Sequence, residues 1–289
     1  MSWQRQPVEG TSLSAKGFAG VRVRPARLAT EARIAVASLS PAEWAQLAAF
    51  ASGAAAVGTV NSKIIGIRNL GRRIFATSRL ARDRAGEVGL KESIKTAPRQ
   101  AVGVTNAVLN KAREGFRAFL ALEPMAKRDA LADVLVAGVT TYVVAGGGDL
   151  EGGLPDTDLI LGVGHHRNPF SHTILIAISV EGSIRFTAAA LSRLHGHLPE
   201  DHDPIWDSIL DAFNRTYEAA VVGVWLGTAL HLMKDVGIPG VRTKPYVMLP
   251  MSLTNAGHQA LLATNAIVAT ALGVLTASSM HEYTKCPDD

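Results

Sequence analysis

Apolar residues are concentrated in long runs along this chain, and short polar segments separate the runs. Four runs have the length and composition of buried or membrane-spanning helices: 130–148, 173–191, 217–240 and 257–280. The second run is the weakest, because Glu181, Gly182 and Arg185 interrupt it. The pattern predicts an all-α fold, a helical bundle in which about three to five apolar helices lie together.

A further helix is predicted to begin next to Ser40. Ser40 occupies the N-cap position, Pro41 the first helical position and Glu43 the third, which is the arrangement of a capping box. The uncharged, Ala- and Gly-rich stretch 44–60 follows it. The whole segment approaches the roughly 20 residues that a helix needs to cross a bilayer.

The apolar runs fit two environments. Ala and Gly contribute little to membrane insertion, and the runs are near the lower length limit for a span, so a soluble bundle with a very apolar core has a similar pattern. Hydrophobic residues make up 47% of the chain and charged residues 19%, and the mean hydropathy is +0.17. We favour a membrane-embedded bundle.

The charge is unevenly distributed along the chain. The formal net charge is +4, and the segment from Lys63 to Arg128 contains fifteen Lys or Arg but only five Asp or Glu. Helices are predicted in this basic region at 74–83 and 101–122. Such a segment suits an anionic membrane surface or nucleic acid, or is a set of solvated helix faces. Nucleic acid is not expected as a partner, because the basic residues are not interleaved with aromatic residues and no recognition motif is present.

Cysteine content narrows the kinds of metal site that the chain can form. Cys286 is the only cysteine, which excludes a disulfide within the chain and any zinc site with several thiolates. Metal ligands are therefore expected among His, Asp and Glu.

The stretch 1–17 has no apolar core, so no secretory signal peptide is predicted.

Polar, metal-capable side chains cluster in the stretch "LPDTDLILGVGHHRNPFSHT", residues 154–173. Asp156 and Asp158 follow a proline, and His166, Arg167 and His172 come after them. Two carboxylates two positions apart can converge on one cation, although alone they are more typical of turns and helix caps. Imidazoles favour zinc, manganese and iron, and mixed sets of His and carboxylate are typical of hydrolytic metal centres.

A second polar pair lies about sixty residues further on, inside an apolar run. His231 and Asp235 are four positions apart and therefore share one face of the predicted helix. In a membrane or a dry core they must be paired, bound to metal or directed into a cavity. The alternative to a metal site is a His–Asp hydrogen bond that only orients two helices.

Three short motifs in this order resemble one known family, over about residues 130–245. "LPDTD", "GHHRNPFSHT" and "GTALHLMKDVGIPG" are similar to the PDxD, HRGxTHS-like and HxxxD motifs of the metal-dependent hydrolase family described as LexA-binding and associated with the bacterial inner membrane. One departure is clear: the spacing from His166 to His172 is one residue longer, and Asn168-Pro169 replaces a glycine. This leaves open whether His165 or His166 is the ligand.

The resemblance implies a divalent metal site, with zinc or manganese expected first and magnesium also allowed. The candidate ligands form one or two adjacent metal positions: Asp156, Asp158, His166, His172, His231 and Asp235. A bound divalent ion lowers the pKa of water from about 15.7 towards 7, which makes hydroxide available at neutral pH. The substrate is expected to be a phosphoester, lipid-like if the site opens at membrane depth.

Three residues are predicted to act in catalysis. Asp235 or Asp158 is the candidate general base. Arg167 cannot bind a metal, because its guanidinium stays protonated, but it can clamp a phosphate or carboxylate of the substrate in a bidentate manner. The alternative is that Arg167 pairs with one of the aspartates and only holds the loop.

The predicted domain organisation has three parts. Residues 1–40 are expected to form a basic, partly disordered arm, residues 41–128 a basic helical region with one apolar helix, and residues 129–289 the helical, metal-dependent hydrolase-like domain.

Three histidines are interpreted as surface residues of an exposed loop, with a lid or a second, adventitious metal site as alternatives: His195, His197 and His202.

Two functions compete with a membrane-associated hydrolase. The first is a non-catalytic membrane scaffold, or a stress or defence effector, in which the His/Asp cluster only ties helices together. The second is a DNA- or regulator-binding protein that uses the basic region 61–128. Besides substrate, the expected partners are membrane lipid and a regulatory protein.

Overall fold

The computed structural model describes residues 24–88, 117, 119–162, 164, 166–237, 242–249 and 252–280. These residues form helices and connecting turns and contain no strand. The α-helices are α1 (Pro25–Ala37), α2 (Pro41–Val88), α3 (Pro124–Ala145), α4 (Ile174–His195), α5 (Ile205–Val236) and α6 (Asn255–Met280), and a 3-10 helix covers Pro155–Leu161. The predicted all-α class is confirmed.

Helix α5 lies at the centre of the bundle. It packs against α3, α4 and α6, while α2 packs on α4 and α6. Trp225 of α5 is buried in one core cluster with Val144 of α3, Ala177 of α4 and Ala269 of α6. Because α5 is covered on several sides, the polar side chains near its end are removed from water.

Three of the described helices are long and apolar enough to cross a membrane. They are α4, α5 and α6, with mean hydropathies of 1.6, 1.2 and 1.8 over their most apolar windows. The expected number of apolar helices, three to five, is therefore confirmed at its lower limit. Neither α3 nor the 44–60 part of α2 belongs to this group; the first ten residues of α3 include four charged ones.

The N-terminal arm differs from its prediction, because residues 25–37 form helix α1. Pro25 starts the helix, and the Arg27 Nε atom donates to Glu31 one turn later at 2.7 Å. Glu31 is buried and also accepts hydrogen bonds from the Asp203 backbone amide and the Trp206 indole, each at 3.0 Å. The contacts that fix this helix therefore come from distant residues. Residues 1–23 lie outside the described part of the chain.

Helix α2 begins as predicted but is much longer. The Ser40 amide donates to Glu43 Oε2 at 2.7 Å and the Glu43 amide donates to Ser40 Oγ at 3.3 Å, which confirms the capping box. The helix then continues to Val88, so that the predicted elements 44–60 and 74–83 belong to one helix. The predicted helix at 101–122 falls mostly outside the described residues.

Helix α5 also begins earlier than predicted, at Ile205 instead of residue 217. Its first turns are amphipathic, with apolar residues at 205, 206, 209, 210 and 213. The predicted loop 195–207 covers the start of these turns, and no element was predicted for 208–216. The prediction followed uninterrupted apolar runs, and the polar residues between these positions separate them from the run that begins at residue 217.

Two glycines allow α5 to approach α3 closely. A Cβ on Gly227 would lie 2.7 Å from both the Thr141 carbonyl oxygen and the Val144 Cβ atom, and one on Gly223 would lie 2.6 Å from the Ala137 carbonyl oxygen. Small residues four apart allow helix backbones to pack at short distance. The contact places the end of α3 against the last turns of α5, which carry His231 and Asp235.

We expect Gly227→Ala to destabilise the protein by about 1–3 kcal/mol, because the added methyl group forces α3 and α5 apart. Thermal unfolding in detergent, followed by circular dichroism, measures the change. The matched control is Gly138→Ala on α3, where a Cβ meets no atom within 4 Å; it should be neutral or stabilising by up to about 1 kcal/mol. Equal losses in both variants would contradict the close approach.

Candidate metal centre

The structure brings the two polar segments of the sequence together at one end of the bundle. Asp156 and Asp158 lie on the 3-10 helix, His172 lies just before α4, and His231 and Asp235 lie near the end of α5. All five are buried, with at most 6% of their surface exposed. Two further predicted residues, His166 and Arg167, lie between the 3-10 helix and α4 and contact the same group.

A glycine-rich turn after α3 positions Asp156. The Leu154 amide donates to the Val144 carbonyl at 2.9 Å, and the Gly152 amide donates to Asp156 Oδ2 at 2.8 Å. A Cβ on Gly153 would lie 2.2 Å from the Val144 carbonyl oxygen, so only glycine permits this approach. The other carboxylate oxygen of Asp156 is thereby directed towards α5.

Four acceptor atoms converge between the 3-10 helix, α4 and α5. His172 Nε2 lies 3.2 Å from Asp156 Oδ1 and 3.6 Å from Asp235 Oδ2. His231 Nε2 lies 3.5 Å from Asp156 Oδ1 and 3.7 Å from Asp235 Oδ2. Each of the two imidazole nitrogens therefore lies within 3.7 Å of both carboxylate oxygens, and Asp156, His172 and His231 have the spacing of metal ligands.

Hydrogen bonds on the far side of each ring determine which nitrogen carries the proton. Nδ1 of His231 donates to the Ala145 carbonyl at 3.1 Å, since a carbonyl can only accept. The Ser171 hydroxyl donates its one proton to Asp158 at 2.6 Å, so its oxygen can only accept from His172. Nδ1 of His172 therefore donates to Ser171 Oγ at 2.9 Å. In the neutral rings both Nε2 atoms therefore carry no proton, and their lone pairs face carboxylate oxygens. Metal-binding histidines typically have such outer hydrogen bonds.

The geometry fits a divalent cation. Bonds of about 2.0–2.2 Å in a tetrahedral site place the ligand atoms roughly 3.3–3.6 Å apart, close to the four separations of 3.2–3.7 Å found here. His231 Nε2 and Asp235 Oδ2 are also buried without a hydrogen-bond partner. Buried polar atoms are normally satisfied, so two unsatisfied acceptors aimed at one point indicate a place for a cation.

Asp158 supports this group from outside. It accepts hydrogen bonds from the Ser171 hydroxyl and, at 3.2 and 3.1 Å, from the backbone and side-chain amides of Asn168. Burial raises the pKa of Asp158, but these hydrogen bonds and the contact with His166 lower it by more, and the net pKa lies below its ordinary value. Asp158 therefore stays ionised and orients His172 through Ser171.

Asn168 shapes the loop between the 3-10 helix and α4. Asn168 Oδ1 accepts from the backbone amides of Phe170 and Ser171, at 2.9 and 3.0 Å, which forms a tight turn. The same side chain donates to Asp158. Asn168 thus links the loop to the 3-10 helix.

His166 lies beside the four-donor group, which consists of Asp156, His172, His231 and Asp235. Its Nδ1 atom is 3.1 Å from Asp158 Oδ1 and 3.6 Å from Asp156 Oδ1. His166, Asp158 and His172 form a second group with metal-like spacing, but the Nδ1 atom of His172 is already bonded to Ser171. The geometry therefore favours one ion at the four-donor group, and ligation by His166 stays a prediction. His165 lies outside the described residues.

Arg167 has an unusual backbone conformation and a long contact with the group. Its φ is +63°, in the left-handed region, and its carbonyl accepts from the Val247 amide at 3.1 Å. Its Nε atom lies 3.7 Å from Asp235 Oδ2 and has no hydrogen-bond partner. This is the arginine–aspartate pairing considered as an alternative to a substrate clamp, at a distance too long for a hydrogen bond.

Several residues that support the site were not predicted from the sequence. The Tyr246 hydroxyl donates to the backbone carbonyl of His172 at 2.5 Å. Glu151 accepts from Lys234 at 2.6 Å and from Lys244 at 2.8 Å, and these two hydrogen bonds lower the pKa of Glu151 to about 2. Lys244 Nζ also lies 3.7 Å from Asp235 Oδ1. No sequence spacing marks contacts of this kind, since they join residues that are far apart in the chain.

Protein-family models, curated proteins and solved structures give no match to this chain. The resemblance to the LexA-binding hydrolase family therefore stays a prediction. The geometry defines a buried group of His and Asp residues that can hold a metal ion, in a helical protein of which three described helices are long and apolar enough to cross a membrane.

Proposed function

We propose that the protein is a membrane-associated, metal-dependent hydrolase that acts on a phosphoester. The observation that carries the proposal is the pair of buried acceptors without partners, His231 Nε2 and Asp235 Oδ2, which face Asp156 and His172. A divalent ion held there supplies Lewis acidity and lowers the pKa of water. Zinc and manganese suit a donor set of imidazoles and carboxylates.

Asp235 has two possible roles, and they separate a hydrolase from a structural site. Three protein ligands and one open position are typical of catalytic zinc sites, whereas four protein ligands are typical of structural ones. In the hydrolase Asp156, His172 and His231 hold the ion. Asp235, whose two contacts with the imidazoles are the longest of the four, accepts a proton from the attacking water.

Basic side chains next to Asp235 favour an anionic substrate. Arg167 and Lys244 each lie 3.7 Å from a different oxygen of the Asp235 carboxylate. Because the Arg167 contact is not a hydrogen bond, its donors are available to a phosphate group that enters the centre. Guanidinium groups bind phosphate in a bidentate manner, which positions the ester.

Exposed apolar side chains on the same loops favour a lipid-like substrate. Ile160 and Leu161 follow Asp158 in the 3-10 helix and are 86% and 69% exposed. Phe170 and Met248 are also exposed, on the loop of Arg167 and next to Val247. Large exposed apolar groups commonly mark contacts with membranes or ligands, so the centre fits substrates that reside in the bilayer.

A second candidate function is a non-catalytic membrane scaffold, or a stress or defence effector. The observation in its favour is that Asp235 Oδ2 lies 3.6 and 3.7 Å from the His172 and His231 Nε2 atoms, where a fourth protein ligand would close the site and tie the 3-10 helix, α4 and α5 together. In this case Asp235 is a metal ligand and Arg167 neutralises its charge. The two functions therefore make opposite predictions for Asp235.

The test is the variant Asp235→Asn in metal-loaded protein, assayed with p-nitrophenyl phosphate and with phosphatidic acid in mixed micelles. For a hydrolase we expect metal binding to be retained and the rate to fall by about 10²–10⁴-fold, the usual contribution of a general base. The control Asp149→Asn changes an exposed carboxylate on the neighbouring turn and should retain the full rate.

The opposite outcome identifies the structural site. If wild-type protein loaded with zinc or manganese hydrolyses neither phosphoester, and Asp235→Asn loses the metal, the hydrolase proposal fails. Metal content and rate are measured on the same preparations, so that loss of metal is not mistaken for loss of a general base.

A further inference from the structure

A second group of His and Asp residues lies at the other end of α4 and α5. His195 is the last residue of α4, Asp207 lies in the first turn of α5, and His202 lies in the loop between them. The Nε2 atoms of His195 and His202 lie 2.8 and 3.2 Å from the same oxygen, Asp207 Oδ1. The three side chains have the spacing of metal ligands.

The hydrogen bond on the far side of the His202 ring determines which of its nitrogens carries the lone pair. Nδ1 of His202 donates to the Pro199 carbonyl at 2.8 Å, so Nε2 of the neutral ring is an acceptor. That atom nevertheless faces a carboxylate oxygen, which is also an acceptor. Either a proton or a metal ion must lie between them, and an Nδ1–carbonyl bond is a common outer support of metal-bound histidine.

Helix α1 holds the loop that carries these residues. Glu31 of α1 accepts from the Asp203 amide and from the Trp206 indole, each at 3.0 Å. Arg27 pairs with Glu31 and also donates to the Asp201 carbonyl. The loop is thus fixed on both sides of His202, and the ligand atoms are held together without an ion.

We propose that His195, His202 and Asp207 form a second metal site, which binds a divalent first-row transition ion such as zinc. Two imidazoles and one carboxylate on one side of an ion leave its remaining positions open. The side chains are 25%, 19% and 52% exposed, so an ion can enter from solvent and keep water or another ligand. The site differs from the buried four-donor centre in depth and in its open face.

The two sites lie at opposite ends of the same pair of helices. Asp207 and His231 are separated by 24 residues of α5, which at about 1.5 Å per residue is about 36 Å. This distance exceeds the hydrocarbon thickness of a bilayer, about 30 Å. If α4 and α5 cross the membrane, the second site therefore lies on the opposite side from the proposed hydrolytic centre.

The proposal is tested by titrating zinc into full-length protein in detergent, after a chelator has removed bound metal. We expect two equivalents in wild-type protein, one in His195→Ala/His202→Ala, and two in the control His197→Ala, which changes a histidine of the same loop outside the group. Asp207→Asn, a shape-conserving change, should weaken the second equivalent by at least about tenfold. Excess magnesium should not compete, because it prefers oxygen ligands.

The titration separates this proposal from the proposed function. If the buried centre takes no ion, wild-type protein binds one equivalent and the His195→Ala/His202→Ala variant binds none, and the second site still stands. Equal zinc binding by wild-type protein and this folded variant would overturn it, as would an equal loss in His197→Ala. Circular dichroism establishes that each variant is folded.

Discussion

The double variant His172→Ala/His231→Ala should lose at least about 100-fold in affinity for zinc or manganese. It removes both imidazole nitrogens of the four-donor group and leaves only two carboxylates, which are poor ligands for these ions without nitrogen partners. The helices should remain folded, since the tertiary contacts of α4 and α5 are mostly apolar. Competition titration against a zinc indicator measures the affinity.

A matched control lies at the other end of the same helices. The variant His195→Ala/His202→Ala also removes two histidines, but it should leave the affinity of the buried centre unchanged. If removal of His172 and His231 disturbs the fold, Asp156→Asn is the alternative, because it keeps the shape of the side chain and its contact with Gly152. Unchanged affinity in both variants of the buried group would show that it is not a metal site.

Arg185→Met should destabilise the protein by about 3–5 kcal/mol, the cost of leaving a buried charge without its partner. The Arg185 guanidinium donates to Glu218 at 2.6 and 2.9 Å and to Glu181 at 3.0 Å. Glu181 is fully buried and also contacts Lys63 Nζ at 3.0 Å. These four charged side chains connect α2, α4 and α5 within the apolar bundle.

The unfolding temperature in detergent measures this loss. The control is Arg193→Met on the same helix, where the arginine lies on the exposed side with its guanidinium 4.2 Å from the centre of the Phe50 ring. We expect a loss of about 0.5–1 kcal/mol there. Similar losses in the two variants would contradict a central role for the ion pairs of Arg185.

The charged residues of α4 show what sequence reasoning missed in the fold. Glu181 and Arg185 were interpreted as interruptions of an apolar run, because hydropathy counts each charge against burial. The structure instead places them inside the bundle, where Lys63 and Glu218 neutralise them. A partner more than a hundred residues away cannot be inferred from local periodicity.

Helix boundaries were predictable where the signal is local. The capping box at Ser40 and Glu43 marked the start of α2 correctly. Helix α1 was missed because its anchor, Glu31, is satisfied by Asp203 and Trp206, residues of a distant loop. Local chemistry defines caps, whereas tertiary contacts decide which weak helices form.

The candidate site was partly predictable for the same reason. The spacing of His231 and Asp235 placed both on one helix face, and the structure directs them towards Asp156 and His172. The outer hydrogen bonds were not predictable, because the Ala145 carbonyl and the Tyr246 hydroxyl act through the fold. The Ala145 carbonyl decides which nitrogen of the His231 ring faces the centre, and the Tyr246 hydroxyl holds the backbone of His172.

The most direct test of the metal centre is the metal content of the detergent-purified protein, measured by elemental mass spectrometry. The His172→Ala/His231→Ala variant is measured beside it. We expect stoichiometric zinc or manganese that the variant lacks at the buried centre. The absence of metal from both proteins, even after reconstitution with divalent ions, would contradict the account and leave these residues as a polar contact between helices.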